Sequence, residues 1–142
     1  MQNAEYSVAL THLVDKLKLE NCTPNVPIDD VKVTQSDVNR PALQLAGFFD
    51  YFDSNRIQII GQVEYTYMEK IGVEKSAQML GKIMSYKVPC IVFCRDLPVA
   101  EEYKKVSKEM GIPILRSDKD TSSFSAECTR WLKVKLAPRI SI

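Results

Sequence analysis

The chain has 142 residues, of which 45% are hydrophobic and 26% are charged, so a single domain built on one hydrophobic core is expected. Nineteen basic and eighteen acidic side chains nearly cancel, which argues against nucleic acid or an anionic membrane as the main partner. No apolar run approaches the roughly 20 residues that span a bilayer, and no secretory signal pattern is present, so we expect a cytoplasmic protein with reduced thiols.

The N-terminal segment Ser7–Leu19 is predicted to form an amphipathic helix, because leucine and valine recur every three or four positions between residues 10 and 17. The hydroxyl of Ser7 is available to cap its first turn. Pro24 and Pro27 follow, and they exclude a helix and favour a turn-rich connection.

A short strand and a short helix are predicted next. The alternation at Val31–Thr34 is typical of a strand. Pro41 suits the first turn of a helix over Ala42–Ala46, because the backbone N–H that proline lacks has no helical partner there, and Gly47 can close that helix.

From residue 56 onward, strands and helices alternate. The predicted strands are Ile57–Gly61, Pro89–Cys94 and Ile112–Leu115. The predicted helices are Glu74–Met84, after a polar lead-in at Glu64–Lys70, then Val99–Met110, ended by Gly111, and Asp120–Lys135. This order predicts an α/β fold: a single three-layer domain with a mainly parallel sheet flanked by helices on both faces.

The four cysteines show no metal or disulfide pattern. Cys90 and Cys94 would lie on the same face of one strand, about 13 Å apart at ~3.3 Å per residue, and so cannot pair. Cys22 and Cys128 are isolated, and no Cys/His cluster has zinc-site spacing. We therefore predict buried, unreactive thiols in place of a metal or redox site.

No catalytic, cofactor-binding or metal-binding residue is predicted. The segment Gly61–Glu64 has one glycine where a dinucleotide-binding loop needs three, and Gly72–Ser76 lacks the glycines of a phosphate-binding loop. The one histidine, His12, lies at the polar border of the first helix, where a surface position is more plausible than a role as general base.

One loop, Arg116–Ser123, combines an arginine with hydroxyl groups at a helix N-terminus, a combination that favours an anion. Asp118 and Asp120 would repel the same anion, so capping of the helix by Asp120 or Thr121 is the plainer interpretation. If the domain does bind an anionic metabolite or nucleotide, the candidate ligand residues are Asn39, Arg40, Arg116, Ser117 and Thr121.

An aromatic cluster lies between Gly47 and Asp53. Four of the twelve aromatic residues of the chain fall within five positions there: Phe48, Phe49, Tyr51 and Phe52. A small core rarely accommodates all four, so we expect about two of them in the core and the others in contact with another subunit or domain.

The segments Ser36–Phe52 and Arg56–Gly61 closely resemble the N-terminal domain of bacterial HPr kinase/phosphorylase. Shorter similarities occur at Val88–Val92, Gly111–Arg116 and Leu136–Arg139, so the resemblance covers nearly the whole chain. It implies a bifunctional enzyme that phosphorylates a serine of the phosphocarrier protein HPr, removes that phosphate by phosphorolysis, and controls carbon catabolite repression. It also implies a fold similar to the N-terminal domains of Mur ligases.

In that family the ATP-binding loop, the catalytic acidic and histidine residues and the magnesium site belong to a C-terminal domain, and the protein is a hexamer. No position here matches those residues. We therefore expect residues 1–142 to be a non-catalytic regulatory or assembly domain, with residues 137–142 beginning a connector to an absent kinase domain and Pro138 stopping the last helix. Its expected partners are other copies of itself, its own catalytic domain and, through the parent, HPr. The alternatives are a stand-alone module for a small anionic ligand and, less favoured, an independent enzyme.

Overall fold

Seven strands and six helices form within residues 6–138, the part of the chain that the computed structural model describes. The strands are β1 (Val8–Ala9), β2 (Glu20–Asn21), β3 (Lys32–Val33), β4 (Val38–Asn39), β5 (Ile57–Ile60), β6 (Ile91–Phe93) and β7 (Ile114–Arg116). The helices are α1 (Leu10–Leu17), α2 (Ala42–Leu45), α3 (Gln62–Ile71), α4 (Val73–Met84), α5 (Glu101–Met110) and α6 (Thr121–Leu136).

The main sheet has five strands in the order β2-β7-β6-β5-β4. The strands β4, β5, β6 and β7 are parallel and lie side by side in chain order, with Ile59 opposite Val92 and Val92 opposite Leu115. β2 adds to one edge as an antiparallel strand. β1 and β3 form a separate antiparallel pair. This arrangement confirms the predicted α/β fold with a mainly parallel sheet.

Helices cover both faces of the sheet, as predicted. From β4 to β7, each strand lies beside the previous one on the same side along the sheet. Right-handed crossovers between these strands therefore place α2, α3, α4 and α5 on one face. There they pack on one set of strand side chains, which includes Ile60 and Phe93. The alternate set, which includes Ile59 and Val92, packs against α1, α6 and the β1–β3 pair on the other face. Burial on both faces explains why β5 and β6 are almost entirely apolar.

Several helix ends follow the sequence prediction. Asp120 caps α6, accepting a hydrogen bond from the Ser123 backbone N–H at 2.7 Å, and this bond lowers the pKa of Asp120. Gly111 ends α5 in the left-handed conformation with φ of +73°. α6 ends at Leu136, before Pro138, and the remaining predicted connector residues, 139–142, lie outside the described part of the chain.

Other predicted elements are wrong in detail. Ser7 does not cap α1: the helix starts at Leu10 after β1, and its N-cap residue, Ala9, makes no side-chain hydrogen bond. The supposed lead-in at Glu64–Lys70 is part of the helix α3. α3 buries only Glu64 and Met68, so it lacks the apolar periodicity that reveals a helix in a sequence. The two-residue strands β1, β2 and β4 are too short to show the alternation of apolar and polar side chains that marks a strand in a sequence.

Three of the four cysteines are buried, and the fourth, Cys22, is half-buried. All four are free thiols. Burial raises the pKa of Cys94 to about 11 and that of Cys128 to about 12, and it also raises the pKa of Cys90. Thiols with such values are almost fully protonated near neutral pH, which agrees with the predicted unreactive character of the three buried cysteines.

Candidate functional site

The carboxyl ends of the four parallel strands meet at one edge of the sheet, where ligands bind in many α/β proteins. The residues that follow these strands are Arg40, Gly61, Cys94 and Ser117. Thr121 opens α6 at the same end. The predicted anion site would therefore lie at this edge.

Arg40 forms an ion pair with a buried carboxylate at this edge. Its Nη2 atom lies 2.8 Å from Oε1 of Glu64, whose side chain is only 3% exposed. The same Oε1 accepts a hydrogen bond from the Gly61 backbone N–H at 2.8 Å. Glu64 thus ties the loop after β4 to the first turn of α3, and the positive charge of Arg40 is balanced within the protein.

Thr121 completes the same cluster from the other face of the sheet. A side chain at Gly61 would overlap the Thr121 hydroxyl, so the two residues are in close contact. The Thr121 hydroxyl also lies near the Cys94 thiol, and it opposes part of the effect of burial on the Cys94 pKa. Arg40 and Thr121, two of the five predicted anion ligands, therefore do come together, around Gly61.

The other three predicted ligands have separate partners. The Asn39 amide Nδ2 donates to Gln58 at 2.6 Å and to Gln44 at 3.2 Å. Arg116 pairs with Glu20 at 2.8 Å, and this hydrogen bond raises the pKa of Arg116. The hydroxyl of Ser117, a buried residue, accepts from the Lys119 backbone N–H at 3.1 Å.

These residues do not converge on one point. β5 and β6 lie between β4 and β7, so the strands that carry Arg40 and Arg116 are roughly 14 Å apart at ~4.8 Å per strand. Within residues 6–138, no buried side-chain nitrogen or oxygen lacks a hydrogen-bond partner. The buried polar groups at the carboxyl end therefore all have partners within the protein.

The amino end of the parallel sheet presents the opposite kind of surface. The connection from α2 to β5 and the end of α4 bring aromatic and aliphatic side chains together there. We call this the aromatic surface, and it consists of Leu43, Phe48, Phe49, Tyr51, Phe52 and Tyr86.

Three rings form the base of the aromatic surface. Phe49 stacks on Tyr86 with 4.9 Å between ring centroids, and Phe52 meets both rings edge-on at 5.6 and 5.3 Å. Lys82 Nζ lies 4.9 Å from the centroid of Phe49. Phe49 and Phe52 are partly buried against the core, as predicted for two of the four aromatic residues.

Four members of the aromatic surface are exposed to solvent, including Tyr86 of the base. Leu43 is 61% exposed, Phe48 49% and Tyr51 fully exposed, and Tyr86 is 41% exposed. Sequence reasoning identified Phe48 and Tyr51 but missed Leu43 and Tyr86. Tyr86 lies 34 positions after Phe52 in the chain, and nothing in the sequence indicates that the two rings meet.

Tyr51 is held in a backbone conformation that side chains seldom adopt. It occupies the third position of a turn in which the Phe52 N–H donates to the Phe49 carbonyl at 3.1 Å, and its φ is +60°. Glycine or asparagine is usual at such a position, because a β-carbon is strained there. The turn therefore displays an aromatic ring to solvent at an energetic cost.

Several functional classes lack support in the described residues. Between residues 6 and 138, no group of three or more His, Cys, Asp or Glu side chains could hold a metal ion. No helix there is both long and apolar enough to cross a membrane. The His12 side chain is exposed, and its ring meets that of Trp131 edge-on at 5.3 Å.

A solved structure shares the fold. The CBS and DRTGG domains of the regulatory region of Clostridium perfringens pyrophosphatase, in complex with the activator diadenosine tetraphosphate, superpose with a TM-score of 0.53. The match covers 85% of this chain and 45% of that one, at 15% sequence identity. An identity this low shows a common fold and nothing more.

Sequence comparisons give the family. The family model described as HPr Serine kinase N terminus matches residues 8–132. HPr kinase/phosphorylase of Lachnoclostridium phytofermentans is 59% identical over 96% of the chain, and that of Streptococcus uberis is 35% identical over 96%. The chain covers 44% of each of these proteins, so it spans less than half the length of the curated relatives that it matches. This chain therefore belongs to the HPr serine kinase N-terminal domain family.

Proposed function

We propose that residues 1–142 act as the single, non-catalytic N-terminal domain of a cytoplasmic HPr serine kinase/phosphorylase. In this proposal the parent protein phosphorylates and dephosphorylates a serine of HPr and so controls carbon catabolite repression. ATP and Mg²⁺ are bound by a kinase domain that this chain does not contain. The support comes from the relatives named HPr kinase/phosphorylase, of which the chain covers 44%.

The role that we propose for the domain itself is assembly, through the aromatic surface. The observation that carries this proposal is the fully exposed Tyr51 ring, held at a φ of +60° beside the exposed Phe48. Exposed aromatic residues that lie together are typical of the centre of a protein interface. The aromatic surface would pack on another subunit or on the kinase domain of the same protein.

The alternative, a module for a small anionic ligand at the carboxyl end of the sheet, has less support, because the predicted ligands there have protein partners. Similarity in fold to the N-terminal domains of Mur ligases stays a prediction. It would not change the proposed role, since a shared fold does not imply a shared function.

A chimeric enzyme tests both parts of the proposal. This chain replaces the matching N-terminal segment of the Lachnoclostridium phytofermentans enzyme, and phosphorylation of HPr and sedimentation are measured. We expect the chimera to phosphorylate HPr and to assemble as the parent enzyme does, whereas the chain alone transfers no phosphate. Phosphate transfer by the chain alone would contradict the non-catalytic role.

Serine substitutions in the chimera then test the aromatic surface. Phe48→Ser and Tyr51→Ser should shift the sedimenting species toward smaller assemblies or expose the domain to proteolysis. Val134→Ser is the matched control, because Val134 is 68% exposed on α6, away from the aromatic surface. Equal behaviour of all three variants would show that the aromatic surface takes no part in assembly.

A further inference from the structure

A groove runs along the sheet edge formed by β2, on the opposite side of the sheet from β4. Its walls are α5 on one side, and β2 with the turn at residues 22–26 on the other. It consists of two adjoining cavities of about 400 Å³ each, which share Cys22 and Lys104. Cavities of this size hold small molecules in many proteins.

The lining of the groove carries an excess of positive charge. Four basic side chains line it, Lys104, Lys105, Lys108 and Arg116, against two acidic ones, Glu20 and Glu101. An excess of two positive charges in one concavity is notable in a chain whose net charge is only +1. We call this feature the lysine groove.

The two acidic side chains are already engaged. Glu20 accepts from Arg116 at 2.8 Å, and Glu101 lies 3.3 Å from Lys104. Among the carboxylates of residues 6–138, none lies within 4 Å of the ammonium group of Lys105 or Lys108. These two lysines are therefore the ones whose charge a ligand would balance.

The turn at residues 22–26, which forms part of the opposite wall, is uncharged. Within this turn Thr23 and Val26 are buried, and the Thr23 hydroxyl accepts from the Ile114 backbone N–H at 3.0 Å. Burial and the nearby Glu20 raise the pKa of the Cys22 thiol, so that side chain also contributes a neutral surface. In the cavity lined by residues 22–26, an anion meets ammonium groups of α5 on one side and no carboxylate on the other, while Glu20 lines the adjoining cavity and is paired with Arg116.

We propose that the lysine groove binds a small phosphate-bearing molecule with at least two negative charges. Lysine ammonium groups bind phosphate as point charges, and two of them on successive turns of α5 suit a ligand that carries more than one charge. Because Lys105 and Lys108 are exposed, the affinity falls as the salt concentration rises. The groove lies apart from the aromatic surface, so this proposal and the proposed assembly role can fail independently.

Inorganic pyrophosphate serves as the probe, in a nuclear magnetic resonance titration of the ¹⁵N-labelled 142-residue chain at constant ionic strength. We expect saturable shifts at the amides of residues 22, 23, 25 and 26 and of residues 101–108. The double variant Lys105→Gln/Lys108→Gln should bind at least about tenfold more weakly, which is the effect of losing about 1.4 kcal/mol. The control Lys70→Gln/Lys75→Gln removes two exposed lysines from α3 and α4 and should bind as the unaltered chain does.

Protection of Cys22 gives a second readout, which reports directly on occupancy of the groove. Cys22 is the one cysteine of the four that is not buried, so iodoacetamide should modify it first. Pyrophosphate should slow this reaction several-fold in the unaltered chain and leave its rate unchanged in the Lys105→Gln/Lys108→Gln variant. Shifts scattered over lysines all round the surface, equal affinities in the two double variants, or an unprotected Cys22 would each overturn the proposal.

Discussion

The two ends of the parallel sheet carry opposite kinds of surface. At the carboxyl end, polar side chains bind one another: Arg40 pairs with Glu64, and Thr121 packs against Gly61. At the amino end, Phe48 and Tyr51 project into solvent. The usual location of ligands in α/β folds points to the first end, whereas the exposed aromatic side chains lie at the second.

Structural and functional polar residues can be told apart by whether their charges and hydrogen bonds are satisfied within the protein. Arginine and threonine beside a helix N-terminus suggest an anion site in a sequence, but here Arg40 pairs with Glu64 of α3, and Thr121 packs against Gly61. What a partner can still use is surface that the fold leaves uncovered. Substitutions at each end can show whether the carboxyl end is structural and the amino end functional.

The largest effect is expected at Gly61. Its φ of −103° suits any residue, so the cost of Gly61→Ala is purely steric. The new methyl group would overlap the Thr121 hydroxyl and lie 2.8 Å from Arg40 Nη2, which disrupts the cluster at the carboxyl end. We expect a loss of about 2–3 kcal/mol in the free energy of unfolding, measured by urea denaturation.

Gly81→Ala is the control for this prediction. Gly81 lies inside α4, where a methyl group would meet only the tip of the Val106 side chain, at 3.2 Å. Alanine favours a helix by about 1 kcal/mol relative to glycine, so this variant should be neutral or stabilised. If Gly61→Ala is as stable as Gly81→Ala, the close packing at the carboxyl end does not hold the fold together.

A smaller effect is expected from the two arginine ion pairs. Both have an N–O distance of 2.8 Å, but the carboxylate of Glu64 is 3% exposed and that of Glu20 is 57% exposed. Arg40→Met leaves the buried Glu64 carboxylate with only its hydrogen bond from the Gly61 N–H. We expect the free energy of unfolding to fall by about 1–2 kcal/mol. The loss is no larger because the Arg40 side chain is itself 44% exposed and its charge is screened by water.

Arg116→Met provides the comparison, measured in the same urea series. It leaves Glu20 in contact with water, and we expect a loss below about 0.5 kcal/mol. Equal losses in the two variants would mean that the burial of Glu64 does not matter, and would contradict a special contribution of the Arg40–Glu64 pair to stability at the carboxyl end.

Much of the fold could be predicted from the sequence because long apolar runs determine it. β5 and β6 read as buried strands, and Gly111 and Asp120 mark helix ends through local backbone chemistry. α3 could not be found, because it buries only two side chains and one of them is the charged Glu64. Strands of two residues, such as β2 and β4, depend on partners far away in the chain.

The candidate sites were predicted less completely. The clustering of Phe48 and Tyr51 was visible in the sequence, and their exposure agrees with an interface. The lysine groove was not visible, because α5 and the turn at residues 22–26 are about 80 residues apart in the chain. The pairing of Arg40 with Glu64 was also hidden, because Glu64 was not recognised as part of a helix.

The smallest effect, and the most specific one, is expected at Tyr51. Tyr51→Gly removes a strained β-carbon from the turn without removing a buried contact, because Tyr51 is fully exposed. Glycine releases about 1–2 kcal/mol of backbone strain at this position. Its greater freedom in the unfolded chain offsets part of this gain, so we expect the free energy of unfolding to rise by about 0.5 kcal/mol.

Lys18→Gly is the matched control for Tyr51→Gly, because Lys18 is also exposed, has a φ of +55° and lies at the end of α1, on the other face of the sheet. Both substitutions should stabilise the isolated chain to a similar degree in urea denaturation, since both release the same kind of strain. Only Tyr51→Gly should weaken assembly of the chimeric enzyme in sedimentation, because only Tyr51 belongs to the aromatic surface. A domain that becomes more stable but assembles less well would show that the strain at Tyr51 serves the interface. If Tyr51→Gly leaves assembly unchanged, the exposed ring has no such role, and the amino end of the sheet is no more functional than the carboxyl end.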